Sequence, residues 1–239
     1  MSEYNYRGQY DNPYYEDTRP KFNMQQPVVT YTLIAVNVLI YAIMTLVGQL
    51  KGWNQNEQLI NFGAKVNLYI DNGQYWRLIT CMFLHVGIVH LLCNCYAIYI
   101  YGPIVERLYG RARYLAIYFI SGLMGSLLSY LLSPAASAGA SGAIFGLIGC
   151  MFYFRKRHKD LFKRIFGWNL FLVLGLNLFL GFAQSGIDNF GHIGGFIGGF
   201  IAAHLVGLYG EKVNTSKRVA AGLVLVFLFT GCFALKRVI

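Results

Sequence analysis

The sequence predicts an all-α polytopic membrane protein with seven crossings. Three observations lead there. First, 56% of the 239 residues are hydrophobic and only 13% are charged. Second, the apolar residues gather into seven long runs, at 28–47, 84–101, 114–132, 140–154, 168–183, 190–209 and 219–235. A helix needs about 20 apolar residues to cross a bilayer, with ~17 the usual lower limit. Five of the runs meet that limit, and those at 140–154 and 168–183 fall short of it. The alternating ten-residue segments of a membrane barrel are absent. Third, the basic residues are distributed unevenly between the connections.

In a soluble protein a formal net charge of +10 would suggest nucleic acid. Here the distribution explains it, and the expected partner is the lipid bilayer, with no nucleic acid. If the N-terminus lies inside, 15 of the 20 basic residues fall in inner segments, six of them between Arg155 and Arg164. Lys51, Lys65, Arg77, Lys236 and Arg237 remain outside. The positive-inside rule then places the N-terminus in the cytoplasm and, after seven crossings, the C-terminus outside. The cluster at 155–164 reads as a topology anchor in preference to a binding patch. Cys81, Cys93, Cys95, Cys150 and Cys232 suggest no framework, because Cys93 and Cys95, two apart on a helix, point to different faces.

Taken in order, residues 1–27 are polar and Tyr-rich, with too little aliphatic content to pack, and are expected to form a disordered cytoplasmic tail. The run at 28–47 is long enough to be a retained signal anchor. The outer segment 48–83 is semi-apolar, with Trp53, Leu59, Phe62, Tyr69 and Trp76, and is expected to lie in the membrane interface, where Trp and Tyr are favoured. The run at 140–154 sets a depth. Arg155 to Arg157 hold its inner end at the interface, and Ser141 lies 14 residues earlier, or ~21 Å of helix. In a hydrocarbon core ~30 Å thick, Ser141 would sit roughly 9 Å below the outer edge. Residues 133–139 would then be non-helical backbone within the membrane, tolerated only inside protein or beside a water-filled cavity.

Glycines say what surrounds that floor. Gly142, Gly146 and Gly149 recur at helical spacing in the fourth run. Gly191, Gly195 and Gly199 do so in the sixth, beside Gly194 and Gly198. Small residues in this pattern let helix backbones approach closely. If the two helices touch, Ser141 and His192, both near the outer ends of their helices, come within hydrogen-bond range. A hydroxyl beside an imidazole makes a nucleophile and its base. No Asp or Glu lies in the apolar part of a run, so a dyad is expected and not a triad. Asp188, four residues before His192, reads as a helix-start residue. Acyl transfer also needs donors for the developing oxyanion. The Ser141 N–H, His90 and Asn94 are the candidates, the last two lying four apart on one helix face.

These residues carry a resemblance. Gly139-Ala140-Ser141-Gly142 resembles the GxSG nucleophile motif of the rhomboid family of intramembrane serine proteases. His90-Leu91-Leu92-Cys93-Asn94 resembles its HxxxN element, and Gly102, Glu106 and Gly110 its GxxxExxxG element. Trp76-Arg77 resembles its WR element, and Asp188 to Gly195 resembles its base-bearing helix start, with Gly191 where Ala is more usual. The resemblance implies a six-helix core over 28–209 and one appended helix within 210–239. It implies Ser141 as nucleophile, His192 as base, and His90, Asn94 and the Ser141 N–H as the oxyanion site. Trp76, Arg77 and Glu106 would be structural. The implied activity is cleavage of single-span transmembrane proteins near the outer boundary of a bacterial plasma membrane, with no cofactor and no metal. Two rival readings make different demands on the sequence. A small transporter would need paired charges within the spans or an inverted repeat, and a non-catalytic relative that binds membrane proteins would be marked by loss of Ser141 or His192.

Overall fold

A computed structural model describes residues 21–183, 186–236 and 238. Helix α1 (Val28–Lys51) is followed by three short helices, α2 (Gln55–Phe62), α3 (Asn67–Asp71) and α4 (Arg77–Thr80), and a 3-10 turn at Cys81–Phe83. Then come α5 (Gly87–Tyr109), α6 (Arg111–Leu132), α7 (Ser141–Arg157), α8 (Lys159–Phe166), α9 (Asn169–Ala183), α10 (Asn189–Val206) and α11 (Thr215–Lys236). There is no strand among the described residues; an antiparallel bridge joins Lys65 to Ser137. Of the predicted tail, residues 1–20 lie outside the described residues. Residues 21–27 are non-helical and rest on the bundle, with the Asn23 N–H donating to Arg107 O at 2.8 Å.

Among the described residues, helices α1, α5, α6, α10 and α11 are long and apolar enough to cross a membrane, and α8 and the first part of α9, bent by 69° at the short break between them, are so only when taken together. Helix α7 has 17 residues, about 25 Å. Its N-terminal end is at Ser141, preceded by the non-helical segment 133–139, and residues 143–151 are all buried. The protein is thus a polytopic α-helical bundle, a six-helix core with α11 appended. Sequence boundaries were displaced mainly at α5, which runs on to Tyr109 through Pro103. Its last turns are held by burial of Val105, Leu108 and Tyr109.

Two buried charges tie the bundle together. Helix α1 has no side-chain cap of its own. Glu106 of α5 accepts instead from the Val29 N–H (3.0 Å), the Thr30 N–H (2.9 Å) and Thr30 Oγ1 (2.8 Å). A carboxylate there also meets the positive end of the α1 dipole. Arg77 organises the segment between α1 and α5: Nη1 donates to Ile60 O (2.8 Å) and Ala64 O (3.0 Å), and Nε donates to Gln74 Oε1 (2.7 Å). Its guanidinium lies over the rings of Tyr69 and Trp76. The apolar pattern of 48–83 gave no sign of helices there. They form because Asn54 and Glu57 make a reciprocal capping box for α2 and Arg77 satisfies the carbonyls where α2 ends.

Helix α10 is wedged between α6 and α7 through two glycine faces. A β-carbon on Gly195 or Gly199 would overlap Gly142 O or Gly146 O of α7. On the other face, one on Gly194 would stand 2.7 Å from Met124 O of α6. Backbone therefore meets backbone on both sides. The α7 contact is the one the glycine spacing predicted. The α6 contact explains Gly194 and Gly198, which the spacing alone did not assign.

Candidate active site

Ser141 is the first residue of α7 and His192 lies in the first turn of α10. The glycine contact sets these two helix starts side by side, and Ser141 Oγ lies 3.0 Å from His192 Nε2. For Nε2 to accept the hydroxyl proton, the imidazole proton must sit on Nδ1. Nδ1 is buried and has no partner among the described residues. The ring is held from its face: Phe145, one turn beyond Ser141, stacks on it at 4.1 Å and 7° between planes. Asp188 caps α10, with Oδ1 accepting from the Gly191 N–H at 2.9 Å. Asp188 does not bond the imidazole; the arrangement is a Ser–His pair.

The pair lies in a cavity of about 460 Å³ whose lining includes His90, Asn94, Ser141, Phe145, Asn177 and His192. All four residues singled out from the sequence therefore meet in one space. His90 Nδ1 accepts from the Val86 N–H at 3.3 Å. A neutral imidazole so engaged carries its proton on Nε2 and presents it as a donor. That edge faces Gly139, where a β-carbon would come 3.0 Å from Nε2. Gly139 has φ +140, so both its conformation and the close imidazole require glycine. Asn94 is buried and donates one amide hydrogen to His90 O at 2.9 Å, leaving the second free to point elsewhere. His85, fully buried, meets His90 edge-on at 5.2 Å. No cluster of three or more His, Cys, Asp or Glu able to hold a metal occurs among the described residues.

Two site residues escaped the sequence reading. Phe145 is four residues from Ser141, and that spacing on one helix face was the available signal. In the sequence Lys65 reads only as a basic residue of the segment 48–83. The structure sets its main chain against Ser137, four residues before the nucleophile position.

Residues 72–209 match the family model described as the Rhomboid domain, more than half of the chain. The chain is 43% identical over 211 residues to rhomboid protease GluP of Bacillus subtilis, covering 88% of this chain and 41% of that protein. It is 33% identical over 223 residues to Rhomboid-like protease 3 of Toxoplasma gondii, covering 90% and 80%. To the putative rhomboid protease YdcA of Bacillus subtilis it is 36% identical over 141 residues, covering 58% and 71%. The chain thus spans about two fifths of the length of GluP.

Proposed function

The chain belongs to the rhomboid family, and from that premise we propose that it is an intramembrane serine endopeptidase with Ser141 as nucleophile and His192 as base. The observation that carries the reading is the 3.0 Å approach of Ser141 Oγ to His192 Nε2 at the floor of the cavity. His192 takes the hydroxyl proton as Oγ attacks a substrate carbonyl and returns it to the leaving amine as the C–N bond breaks; it then takes a proton from the water that attacks the Ser141 ester and returns it to Oγ as the acid product leaves. The oxyanion is met by three groups. The Ser141 N–H is one of the first N–H groups of α7, which have no helical acceptor. The Nε2–H of His90 and the free amide hydrogen of Asn94 are the others. Such donors act on charge that exists only in the transition state.

The substrates are single-span transmembrane proteins. A helix hides its carbonyls in bonds to N–H groups four residues on, so the bond cut must lie where the substrate helix unwinds into the cavity. The close glycine packing of α7 against α10 beside Ser141 leaves little room at the nucleophile and favours a small residue before that bond. The membrane is a bacterial plasma membrane, with the N-terminus and the cluster at 155–164 in the cytoplasm and the cavity opening outward. Within the chain, 28–209 is the protease core, 48–83 its outer loop, and 210–239 a linker and the seventh helix. Incubating the purified protein in liposomes with a panel of single-span substrates tests this. Wild type should release fragments cut near the outer boundary, and Ser141→Ala should release none. Cleavage by Ser141→Ala would overturn the assignment.

A further inference from the structure

We propose that Lys65 is the positioning residue of the nucleophile: its ammonium group, seated on the C-terminal end of α6, fixes the non-helical segment 133–139 and thereby the height of Ser141 beside His192. The inference rests on the reading of Ser141 as nucleophile.

Beyond Ser133, whose N–H still donates to Ser129 O at 2.8 Å, the segment between α6 and α7 is non-helical, and backbone polar groups at this depth must be satisfied by protein. The outer loop satisfies them. Lys65 is fully buried, and its Nζ donates to Ser133 O and to Ala135 O, each at 2.8 Å. Its main chain pairs with Ser137 in both directions, at 2.9 and 3.0 Å. Asn67, two residues on, donates through Nδ2 to Tyr130 O at 3.2 Å and Ser133 O at 3.1 Å. The Gly139 N–H then donates to Cys81 O at 2.9 Å, and Ser141 follows two residues later. From the end of α6 to the start of α7 the chain is thus held by two parts of the outer loop, Lys65 with Asn67 and then Cys81.

Burying a cation costs several kcal/mol unless it is compensated. Among the described residues no carboxylate lies within 4 Å of Lys65. Its compensation is the two carbonyls and the negative end of the α6 dipole. An apolar side chain of the same length would leave Ala135 O bare and Ser133 O with Asn67 as its remaining donor. The residue is therefore placed for what it holds, and it holds the approach to Ser141.

The charged and titratable groups around the ammonium are Cys81 in the 3-10 turn, Asp188 at the start of α10 and Lys236 at the end of α11. Burial, the largest influence, pushes the Lys65 pKa down to about 8; Asp188 and Cys81 oppose that shift and Lys236 adds to it. The clamp should thus lose its charge as pH rises through about 8. Folding has the opposite sign in this window. A lysine whose folded pKa is lowered leaves the unfolded chain holding more protons between about 8 and 10.5. Its contribution to stability therefore rises with pH there. Activity lost above about pH 8 would report the clamp, not unfolding.

The test measures cleavage and the rate of fluorophosphonate labelling from about pH 6 to about pH 10, with thermal unfolding alongside. Wild type, Lys65→Arg and Lys65→Met are compared. Wild type should show a falling limb near pH 8. Lys65→Arg, always charged, should keep its rate within about tenfold below that pH and lose the limb. Lys65→Met should fall ~10²-fold in kcat with KM little changed, the scale of a nucleophile misplaced by about 1 Å. If Lys65→Met fails to fold, the limb in Lys65→Arg decides. An unchanged limb in Lys65→Arg, with wild type labelled normally, would overturn this inference alone. A wild type that is never labelled at any pH would overturn the nucleophile reading and this inference with it.

Discussion

Helices α10 and α9 both border the cavity, and they are built differently. Helix α10 meets α6 and α7 backbone to backbone, with glycines where any side chain would collide. Helix α9 meets its neighbours mainly through side chains, as where Phe171 lies edge-on to Phe152 at 5.0 Å; a close approach comes at its far end, where a β-carbon on Gly181 would overlap Asn189 Oδ1. Leu172, Leu176 and Phe179 of α9 are left exposed, as suits a surface facing lipid. A β-carbon on Gly175 would meet nothing within 4 Å. The difference teaches where precision is needed. The Ser141–His192 distance is set by main-chain contact, which cannot yield without moving a helix. The wall opposite it is made of groups that can shift without disturbing the pair.

Three substitutions test that contrast. The largest effect should come from Gly199→Ala, whose methyl would overlap Gly146 O. Overpacking of this kind costs about 1–3 kcal/mol, and helix separation should also cost most of the labelling at Ser141. Normal melting and labelling would show that α10 is not the rigid element. Asp188→Ala should come next. Loss of an N-cap costs ~1 kcal/mol, read as a lower melting temperature, with activity reduced less than tenfold. A loss as deep as that of His192→Ala would instead make Asp188 a third member of the catalytic group. Gly175→Ala should be smallest, a stabilisation of at most about 1 kcal/mol from helix propensity with unchanged cleavage. A large loss there would mean that α9 is as tightly constrained as α10.

What the sequence made legible follows from periodicity and depth. The apolar runs located the crossings, and the glycine spacing located the α7–α10 contact. Matched depth predicted that Ser141 and His192 would meet, and they do. His90 and Asn94 followed from their spacing on one face and lie at the same cavity. What stayed hidden depends on contacts between segments remote in sequence. Nothing local to Lys65 announces that it will bind carbonyls some seventy residues away. Nothing near Glu106 shows that it caps α1 across 76 residues. The helices between α1 and α5, of 8, 5 and 4 residues, are too short for an amphipathic period to reveal them. Their cap and their Arg77 anchor act through hydrogen bonds, not hydrophobicity.

The account stands on Ser141 being activated by His192, and the most direct measurement locates the covalent adduct. The protein in liposomes would be treated with a fluorophosphonate, digested and mapped by mass spectrometry, wild type beside His192→Ala and Ser141→Ala. The account predicts one phosphonylated residue, Ser141, with the adduct absent from Ser141→Ala and formed at least ~10²-fold more slowly in His192→Ala, the lower range for removing a general base. An adduct on another serine, such as Ser126 or Ser137, or equal labelling rates with and without His192, would contradict it.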